Sequence, residues 1–433
     1  MSFKSSKRIM GHPNIVTVLF IIVMASVIYY SSWLYYNKHR DESTELLPPT
    51  VKEALPQKVS QKHEAPVTTT TERTTTTTTT TTTIPAKDNT WTPFHNRTMN
   101  DGKTDLPRIL FWTKIYGSWF SGLTEEGVAE LEYKGCPDRC FIANHRSMLN
   151  VSDAVVFYGH DLDPVNMPEM RAPFQKWVYW SLEPPWHTPL ASLKSLNNTI
   201  NWTMTYRLDS DILDNYVKIT KLVPAEQPYD KDPLESIWQR KFKMAAWAVS
   251  SCETSGKRKH YVRELRKYID VDVYGDCGEN KCPREMETSC YKMFARDYFY
   301  YLSFENCICR DYVTEKLFKP LMYDIIPVVY GGANYSDAAP PESYIDALSF
   351  ESPRQLALHL KKVARDFNLY KRHFRWKGKF KIKPFTYYNF CALCRKLHST
   401  DFKKSSVILD MHHWWNTTSY CRFWNKDTHK FEY

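Results

Sequence analysis

The feature that most constrains the fold is a strand, loop, helix and strand pattern over residues 298–330. An aromatic run at Tyr298–Phe304 has the length and β-propensity of a buried strand, and another apolar run follows at Ile325–Tyr330. Between them, Thr314 is suited to cap a helix, and Glu315 then lies at the positive end of the helix dipole. The pattern predicts a βαβ unit, in which two parallel strands are joined by a crossover helix.

Polar residues of this unit gather where a ligand would bind. In open α/β sheets, ligands bind beyond the carboxyl ends of the strands. The loop and the first helical turn supply the polar side chains Glu305, Asn306, Tyr312, Glu315 and Lys316. They indicate a nucleotide site, although the sequence has no glycine-rich phosphate loop here.

Strands and helices alternate through the rest of the globular part. Apolar runs typical of strands lie at Ile109–Trp112, Ala154–Tyr158, Trp177–Leu182, Trp202–Tyr206, Met244–Ser250 and Ile269–Tyr274. Helical patterns lie at Lys257–Tyr268, near Ser289–Asp297 and at Pro353–Asn368. This alternation predicts parallel sheets with helices on both faces. The Pro- and charge-rich segment 224–240 is the candidate hinge, so we expect two α/β domains, 106–235 and 236–390, with a cleft between them and a C-terminal tail at 391–433.

The N-terminal part predicts a membrane anchor and a stem. Residues 15–36 form an apolar run that would span roughly 33 Å as a helix, enough to cross a bilayer. The run is long for a cleavable signal peptide and ends in Tyr35-Tyr36, so we expect a signal anchor that follows a cytosolic tail at 1–14. Residues 37–105 contain an almost unbroken Thr tract, Thr68–Thr83, which is typical of a disordered, O-glycosylated stem.

Charge and cysteine content narrow the function classes. The net charge of +10 is spread along the 433 residues, which fits a solvated basic surface or the attraction of an anionic substrate. No basic stripe or known motif favours nucleic-acid binding. Eleven cysteines and several N-glycosylation sequons favour disulfides over zinc, and the odd count leaves at least one cysteine outside intramolecular pairs. The sequons lie at Asn96, Asn150, Asn197, Asn201, Asn334 and Asn416.

Three side chains could carry chemistry. Glu183 ends a strand-like run and precedes two prolines, so it is either a general base beside a cleft or a charge that blunts a sheet edge. Arg258 lies at a predicted helix N-terminus, where a cation is unfavourable unless an anion is bound there; a solvated surface turn is the alternative. Lys316 could add a second positive charge to a diphosphate leaving group.

Paired carboxylates provide a weaker indication of a metal. D-x-D strings occur at Asp161/Asp163, Asp209/Asp211 and Asp270/Asp272, and such pairs can hold Mg²⁺ or Mn²⁺ beneath a diphosphate. Two residues of one type at this spacing are also common by chance, so no metal ligand is assigned.

Taken together, the motifs closely resemble the α1,3-fucosyltransferases of glycosyltransferase family 10. The strings that carry the resemblance are F-E-N-C-I-C-R-D-Y-V-T-E-K-L from Phe304, S-L-E-P-P from Ser181, M-T-Y-R-L-D-S-D from Met204 and W-A-V-S-S-C from Trp247. The resemblance covers roughly Leu106 to Cys394. It implies a GT-B architecture of two Rossmann-like domains, a type II Golgi membrane enzyme with a lumenal catalytic domain, and GDP-β-L-fucose as the donor.

The resemblance also implies roles for individual residues. Glu183 matches the general base that activates the 3-hydroxyl of a GlcNAc in a glycoprotein or glycolipid glycan, with inversion at the fucose carbon. Arg258 and Lys316 match the cations that neutralise the GDP phosphates, and Glu315 matches the carboxylate that binds the ribose. The remaining residues implied for the donor pocket are Asn306, Tyr312, Tyr301, Val249 and Ser250. The resemblance implies no essential metal, although Mg²⁺ or Mn²⁺ could stimulate the enzyme.

Further expectations concern cysteines and the acceptor. The resemblance implies that Cys136 and Cys140 pair with Cys391 and Cys394 in an open connectivity, joining the tail to the N-terminal domain, and it makes Cys307 the candidate unpaired cysteine. The segment Phe157–Asp161 departs from the acceptor motif of vertebrate Lewis-type relatives. N-acetyllactosamine, its GalNAc analogue and the N-glycan core GlcNAc therefore all stay open as acceptors. The alternatives are a GT-B enzyme for another nucleotide sugar and a membrane-tethered glycan-binding module without turnover.

Overall fold

Two parallel β-sheets form the framework of the chain. The computed structural model describes residues 105–120, 123, 131–132, 136–222, 234–384, 390–425, 427–428 and 430–432. The expected cytosolic tail, anchor, stem and Asn96 all lie outside these residues. Within the described ranges, no helix combines the length and the apolar character needed to cross a membrane.

The first sheet has seven strands in the order β2-β3-β1-β4-β5-β6-β7. Its strands are β1 (Arg108–Phe111), β2 (Leu131–Glu132), β3 (Phe141–Ala143), β4 (Ala154–Tyr158), β5 (Lys176–Ser181), β6 (Trp202–Thr205) and β7 (Ile212–Leu213). All neighbours run parallel except β2, which pairs antiparallel with β3. Strands β4, β5 and β6 are buried throughout, which fits their largely apolar and aromatic sequences.

The second sheet has five parallel strands in the order β10-β9-β11-β12-β13. They are β9 (Lys243–Ala248), β10 (Val271–Tyr274), β11 (Tyr298–Phe304), β12 (Ile326–Tyr330) and β13 (Ile345–Asp346). The predicted strand at Tyr298–Phe304 is confirmed, and the second predicted strand begins one residue later than expected. Two antiparallel pairs complete the strands: β8 (Val217–Lys221) with β14 (Phe380–Pro384), and β15 (Phe423–Asn425) with β16 (Lys430–Glu432).

The α-helices follow the strands of both sheets. They are α1 (Leu190–Ser195), α2 (Leu234–Arg240), α3 (Arg258–Leu265), α4 (Glu287–Asp297), α5 (Glu315–Leu321), α6 (Tyr335–Ala338), α7 (Pro353–Arg365), α8 (Phe367–Arg372), α9 (Phe390–His398) and α10 (Met411–Trp415). Short 3-10 helices lie at Arg146–Val151, Gly159–Asp161, Pro164–Asn166, Pro185–His187, Arg284–Met286, Ala347–Ser349, Thr400–Lys403 and Thr417–Ser419. Parallel strands with these crossover helices confirm the α/β class.

One predicted helix is divided. The sequence pattern favoured a single helix over Pro353–Asn368, but α7 ends at Arg365 and α8 begins at Phe367. Asp366 between them has extended backbone, and its carboxylate accepts hydrogen bonds from the first amides of α8. An aspartate in this position favours capping over continuation of a helix, because its side chain competes for backbone amides.

Helix α9 belongs to the core of the first sheet although it begins 177 residues after the end of the last strand of that sheet, from Leu213 to Phe390. The ring of Phe390 packs edge-on against Phe111, Phe120 and Trp180, with centroids 4.8–4.9 Å apart. Disulfides join Cys136 to Cys391 and Cys140 to Cys394 beside this contact. The C-terminal segment therefore completes the core that the first strands begin.

Candidate active site

Glu183 lies two residues beyond β5, at the rim of the first sheet. The hydroxyl of Ser181 donates to the carbonyl oxygen of Glu183 at 3.0 Å, and the hydroxyl of Tyr216 donates to the carbonyl oxygen of Leu182 at 2.6 Å. The 3-10 helix that begins at the second of the two following prolines then brings Nδ1 of His187 to 3.0 Å from Oε2 of Glu183. The backbone and the carboxylate are thus both held by neighbouring groups.

The surroundings of Glu183 favour its ionised form. Burial opposes ionisation, because the side chain is only 21% exposed. Hydrogen bonds from His187 and Tyr116, with the positive charge of Lys316, outweigh burial and hold the pKa of Glu183 below its usual range. The carboxylate is therefore ready to accept a proton at neutral pH, as a general base must be.

The loop between β11 and α5 is organised around Glu305. This side chain is 1% exposed, and its Oε1 accepts hydrogen bonds from both the backbone N–H and the hydroxyl of Thr314 at 2.9 Å. Thr314 in turn caps α5, since its hydroxyl oxygen accepts from the amide of Lys316. Glu305 therefore fixes the start of the helix from inside.

Lys316 lies in the first turn of α5 with its ammonium group between two carboxylates. Nζ lies 3.3 Å from both Glu305 Oε2 and Glu315 Oε1, and it donates to the Thr314 hydroxyl oxygen at 3.0 Å. Burial would lower the pKa of Lys316, but the charges of Glu305 and Glu315 outweigh burial and raise it. Lys316 is thus a fixed cation close enough to Glu183 to lower the pKa of that carboxyl group.

Arg258 begins α3 and turns its guanidinium group inward, where it is 4% exposed. Nη1 donates to the carbonyl oxygen of Phe304 at 2.7 Å, and Nη2 donates to that of Ser251 at 3.1 Å. Its buried Nε and the buried Oδ1 of Asn306 have no hydrogen-bond partner among the described residues. Buried polar atoms without partners are uncommon, and they suit a site where a ligand supplies the missing groups.

The other predicted donor residues have varied surroundings. Tyr301 and Tyr312 are almost fully buried: the hydroxyl of Tyr291 donates to that of Tyr301, and the ring of Tyr312 packs on Tyr206. Both backbone polar groups of Val249 are bonded within the protein, whereas Ser250 is exposed. Glu315 keeps a partly exposed carboxylate, and Lys316 and Lys319 lower its pKa against the opposing effect of burial.

The arrangement places the ionised carboxylate of Glu183 near the partly buried cation Lys316, and Lys316 near the buried cation Arg258. Such a set can take a proton from a nucleophile on one side and stabilise negative charge on a leaving group on the other. Strand β5, which precedes Glu183, belongs to the first sheet, whereas β9 and β11, which precede Arg258 and Lys316, belong to the second.

Comparison with known proteins identifies the family. The model of "Glycosyltransferase family 10 (fucosyltransferase) C-term" matches residues 238–414, and that of "Fucosyltransferase, N-terminal" matches residues 104–217. The chain is 37% identical over 346 residues to alpha-(1,3)-fucosyltransferase C of Drosophila melanogaster, which covers 74% of this chain and 79% of that relative. The chain belongs to glycosyltransferase family 10.

The chain of this family 10 protein has two further similarities to known proteins. It is 35% identical over 291 residues to glycoprotein 3-alpha-L-fucosyltransferase A of Drosophila melanogaster, covering 66% of this chain and 56% of the relative's length. A solved crystal structure of an alpha1,3-fucosyltransferase with GDP-fucose aligns with 70% of this chain and 93% of its own, with a TM-score of 0.44 and 15% identity.

Sequence reasoning did not find every group at the site of this family 10 chain. His187 and Tyr116 both contact Glu183, but neither was a predicted site residue. The spacing of His187, four residues after Glu183 and beyond two prolines, is a signal that could have found it. Tyr116 lies 67 positions before Glu183, and no local pattern joins the two.

The D-x-D carboxylates of the family 10 protein have protein partners. Asp209 pairs with Arg207, Asp272 pairs with Lys243, and Asp211 accepts from the backbone and hydroxyl of Thr203. Across the part of the chain that the structure describes, no group of three or more His, Cys, Asp or Glu side chains could hold a metal ion.

Five disulfides use ten of the eleven cysteines. Besides the two that join α9 to the first sheet, they pair Cys252 with Cys277, Cys282 with Cys290 and Cys309 with Cys421. Cys307 is the cysteine left unpaired and is buried, as expected. Its Sγ lies 2.7 Å from the hydroxyl oxygen of Ser255.

The sequons differ in their surroundings. The side chain of Asn201 is engaged on both sides: its Nδ2 donates to the carbonyl oxygen of Ser406, and its Oδ1 accepts from the amide of Trp177. Thr203 of the same sequon is buried in β6. The folded protein thus leaves Asn201 poorly placed to carry a glycan. The other described sequon asparagines are Asn150, Asn197, Asn334 and Asn416.

A cavity of about 430 Å³ opens beside the site. Its wall includes Tyr216, which is bonded to the residue before Glu183, and Phe318 of α5. Residues of the loops after β6, β11 and β12, together with residues of β8 and β14, line the rest. Aromatic walls with a few polar groups are typical of pockets for small ligands.

Proposed function

We propose that this protein transfers L-fucose from GDP-β-L-fucose to the 3-hydroxyl of a GlcNAc residue in a glycoprotein or glycolipid glycan. The observation that carries the proposal is the ionised Glu183 carboxylate near Lys316, with the unpartnered Nε of Arg258 in the same family 10 chain. The names of its relatives, which are α1,3- and glycoprotein 3-fucosyltransferases, support fucose as the transferred sugar and the 3-linkage.

In the proposed reaction, Glu183 removes the proton of the acceptor hydroxyl as the oxygen attacks the anomeric carbon of fucose. The new bond between that oxygen and the carbon forms while the bond from the carbon to the β-phosphate oxygen breaks. GDP leaves with the bonding electron pair, and the configuration at the carbon inverts. The transition state has oxocarbenium character, as in glycosidases that use paired carboxylates.

Arg258 and Lys316 act on the leaving group in this proposal. Negative charge grows on the diphosphate as the bond breaks, and cations that are already fixed stabilise it without reorganisation. Thr314, Glu305 and Glu315 hold the ammonium group of Lys316, and backbone carbonyls hold the guanidinium group of Arg258. We propose that these two cations make a metal ion dispensable, although Mg²⁺ or Mn²⁺ could still stimulate turnover.

The architecture and location form part of the same proposal. Two parallel sheets whose strands end near Glu183 and near Lys316 support a GT-B arrangement, with donor and acceptor meeting in the cleft. Asn306, Glu315, Tyr301, Tyr312, Val249 and Ser250 would surround the donor nucleotide. The apolar run at 15–36 supports a type II anchor in the Golgi membrane with a lumenal catalytic part.

A donor and acceptor panel tests the proposal. The full-length chain is purified in detergent and incubated with GDP-fucose and other nucleotide sugars, each with defined glycans, with and without EDTA. We expect GDP-fucose alone to be consumed and α1,3-linked fucose to form, with turnover that persists in EDTA. Transfer from another nucleotide sugar, or glycan binding without release of GDP, would contradict the proposed function.

A further inference from the structure

The turn that follows β1 has an unusual backbone. The amide of Ile115 donates to the carbonyl oxygen of Ser118 at 2.7 Å, and the amide of Ser118 donates back at 3.1 Å. Tyr116 and Gly117 between them have φ values of +50° and +74°. Two-residue turns with positive φ at both positions favour Asn-Gly, because a bulky side chain is disfavoured there. A tyrosine in this conformation points to a functional constraint.

The loop after β4 holds this turn in place. The amide of Gly117 donates to Oδ2 of Asp161 at 2.8 Å, and Oδ1 of the same carboxylate lies 2.7 Å from Nδ1 of His160. The ring of Tyr116 packs against His160, with centroids 4.7 Å apart, and against Tyr158 at 5.5 Å. The carboxylate of Asp161 thus bonds both to the turn and to His160, whose ring packs against Tyr116.

The turn directs the phenol of Tyr116 to Glu183. The Tyr116 side chain remains 51% exposed, so its position does not arise from burial in the core. Its hydroxyl donates to the Glu183 carboxylate, which His187 contacts at 3.0 Å. The other titratable groups that face Glu183 are Lys316, Tyr216, Tyr312 and Cys307. Of all these groups, Tyr116 alone comes from the turn after β1.

We propose that Tyr116 is a positioning residue for the base, held in its left-handed turn by Asp161 so that its hydroxyl orients the Glu183 carboxylate. The inference rests on the proposed role of Glu183 as general base and extends it to the turn after β1. A hydrogen-bond donor to the ionised carboxylate keeps the base unprotonated at lower pH, because the bond favours the charged form. The donor also leaves less freedom for the carboxylate to turn away from the acceptor hydroxyl.

The test compares pH profiles of fucosyl transfer by the full chain. Tyr116→Phe removes the hydroxyl and keeps the ring against His160 and Tyr158. Loss of a hydrogen bond to a charged group should move the acid limb of kcat/KM upward by about one pH unit and should also lower the plateau of kcat/KM at higher pH, because the carboxylate is oriented less well. Binding of GDP, measured by calorimetry, should be unchanged. An acid limb that coincides with that of wild type would overturn the proposal.

Further variants separate positioning from folding. Asp161→Ala removes the anchor and should move the acid limb in the same direction, and Tyr116→Phe added to it should bring no further shift, since both act through one hydroxyl. A full additional shift in the double variant would contradict the role of Asp161. If Asp161→Ala does not fold, as judged by circular dichroism, Tyr116→Phe alone decides the question.

A matched control exists in Tyr420. It also has left-handed backbone, with φ +45°, and its side chain is 56% exposed. Tyr420→Phe should leave the acid limb in place; an equal shift in this variant would show a general effect and overturn the proposal. If the wild-type chain transfers no fucose to any acceptor, the proposed function itself fails. If it does transfer fucose and the limb of Tyr116→Phe stays in place, only the role of Tyr116 fails.

Discussion

Glu183 and Glu305 both follow the carboxyl end of a parallel strand, yet their surroundings give them opposite properties. Around Glu183, donors and positive charges outweigh burial, and its pKa is lowered. Around Glu305, complete burial dominates over Lys316 and Thr314, and its pKa is raised. The first carboxylate is left able to accept a substrate proton, whereas the second is enclosed and fixes a helix end. Strand position alone therefore does not determine what a carboxylate does.

The largest effect is expected when the charge of Glu183 is removed. Glu183→Gln keeps the side-chain shape and removes the base, so kcat should fall by about 10²–10⁴-fold. The dissociation constant for GDP should change little, because the proposal places the nucleotide against residues that follow strands of the second sheet. Initial rates and calorimetry with GDP measure the two quantities, and Glu169→Gln, an exposed glutamate in the same part of the chain, is the control. Wild-type rates in Glu183→Gln would remove Glu183 from the mechanism.

The next largest effect is expected at Lys316. Lys316→Ala removes a cation that the proposal places on the diphosphate, and a charge-assisted bond of about 1.5–3 kcal/mol corresponds to roughly a 10- to 100-fold weaker GDP affinity. The variant also leaves Glu305 without its positive partner, so thermal unfolding has to be recorded beside GDP binding. Lys319→Ala, one turn along the same helix, provides a control for loss of charge. An unchanged GDP dissociation constant would contradict the phosphate role.

The smallest effect in this series belongs to Glu305. Glu305→Gln retains an acceptor for the amide of Thr314 but removes the charge that faces Lys316. GDP affinity should weaken only a few-fold, on the scale of one modest interaction, and kcat should stay near wild type. The raised pKa of Glu305 means that its charged form is disfavoured in the folded state, so its ionisation at higher pH destabilises the wild-type protein. Glu305→Gln does not ionise, so its free energy of unfolding relative to wild type should be at least as high at pH 8 as at pH 5. A loss of kcat as large as that of Glu183→Gln would erase the distinction between the two glutamates.

The unit around Glu305 could be read from sequence because its determinants are local. The aromatic run gives β11, the hydroxyl of Thr314 caps α5 as expected, and the polar loop follows directly in the chain. Each of these depends on residues within a few positions of one another, where propensity and capping rules apply.

The surroundings of Glu183 could not be predicted from the sequence, because they depend on residues that are far apart in the chain. Its contact with Tyr116 joins β1 to β5 through a turn whose sequence, Tyr-Gly, does not predict positive φ at the tyrosine. The pairings Cys252–Cys277, Cys282–Cys290 and Cys309–Cys421 were likewise open, since connectivity depends on the folded arrangement. The roles given to Tyr301 and Tyr312 stay predictions, because both lie in packed surroundings.

The return of α9 to the first sheet has a consequence for biosynthesis. A ribosome delivers β1–β7 long before Phe390, Cys391 and Cys394 emerge, so the first sheet has to wait with Phe111, Phe120 and Trp180 incompletely covered. Domains usually fold in the order of synthesis, and uncovered apolar surface is exposed to aggregation during such a delay. A premature stop just before residue 390 would therefore leave the core of the first sheet incomplete, besides removing the C-terminal segment.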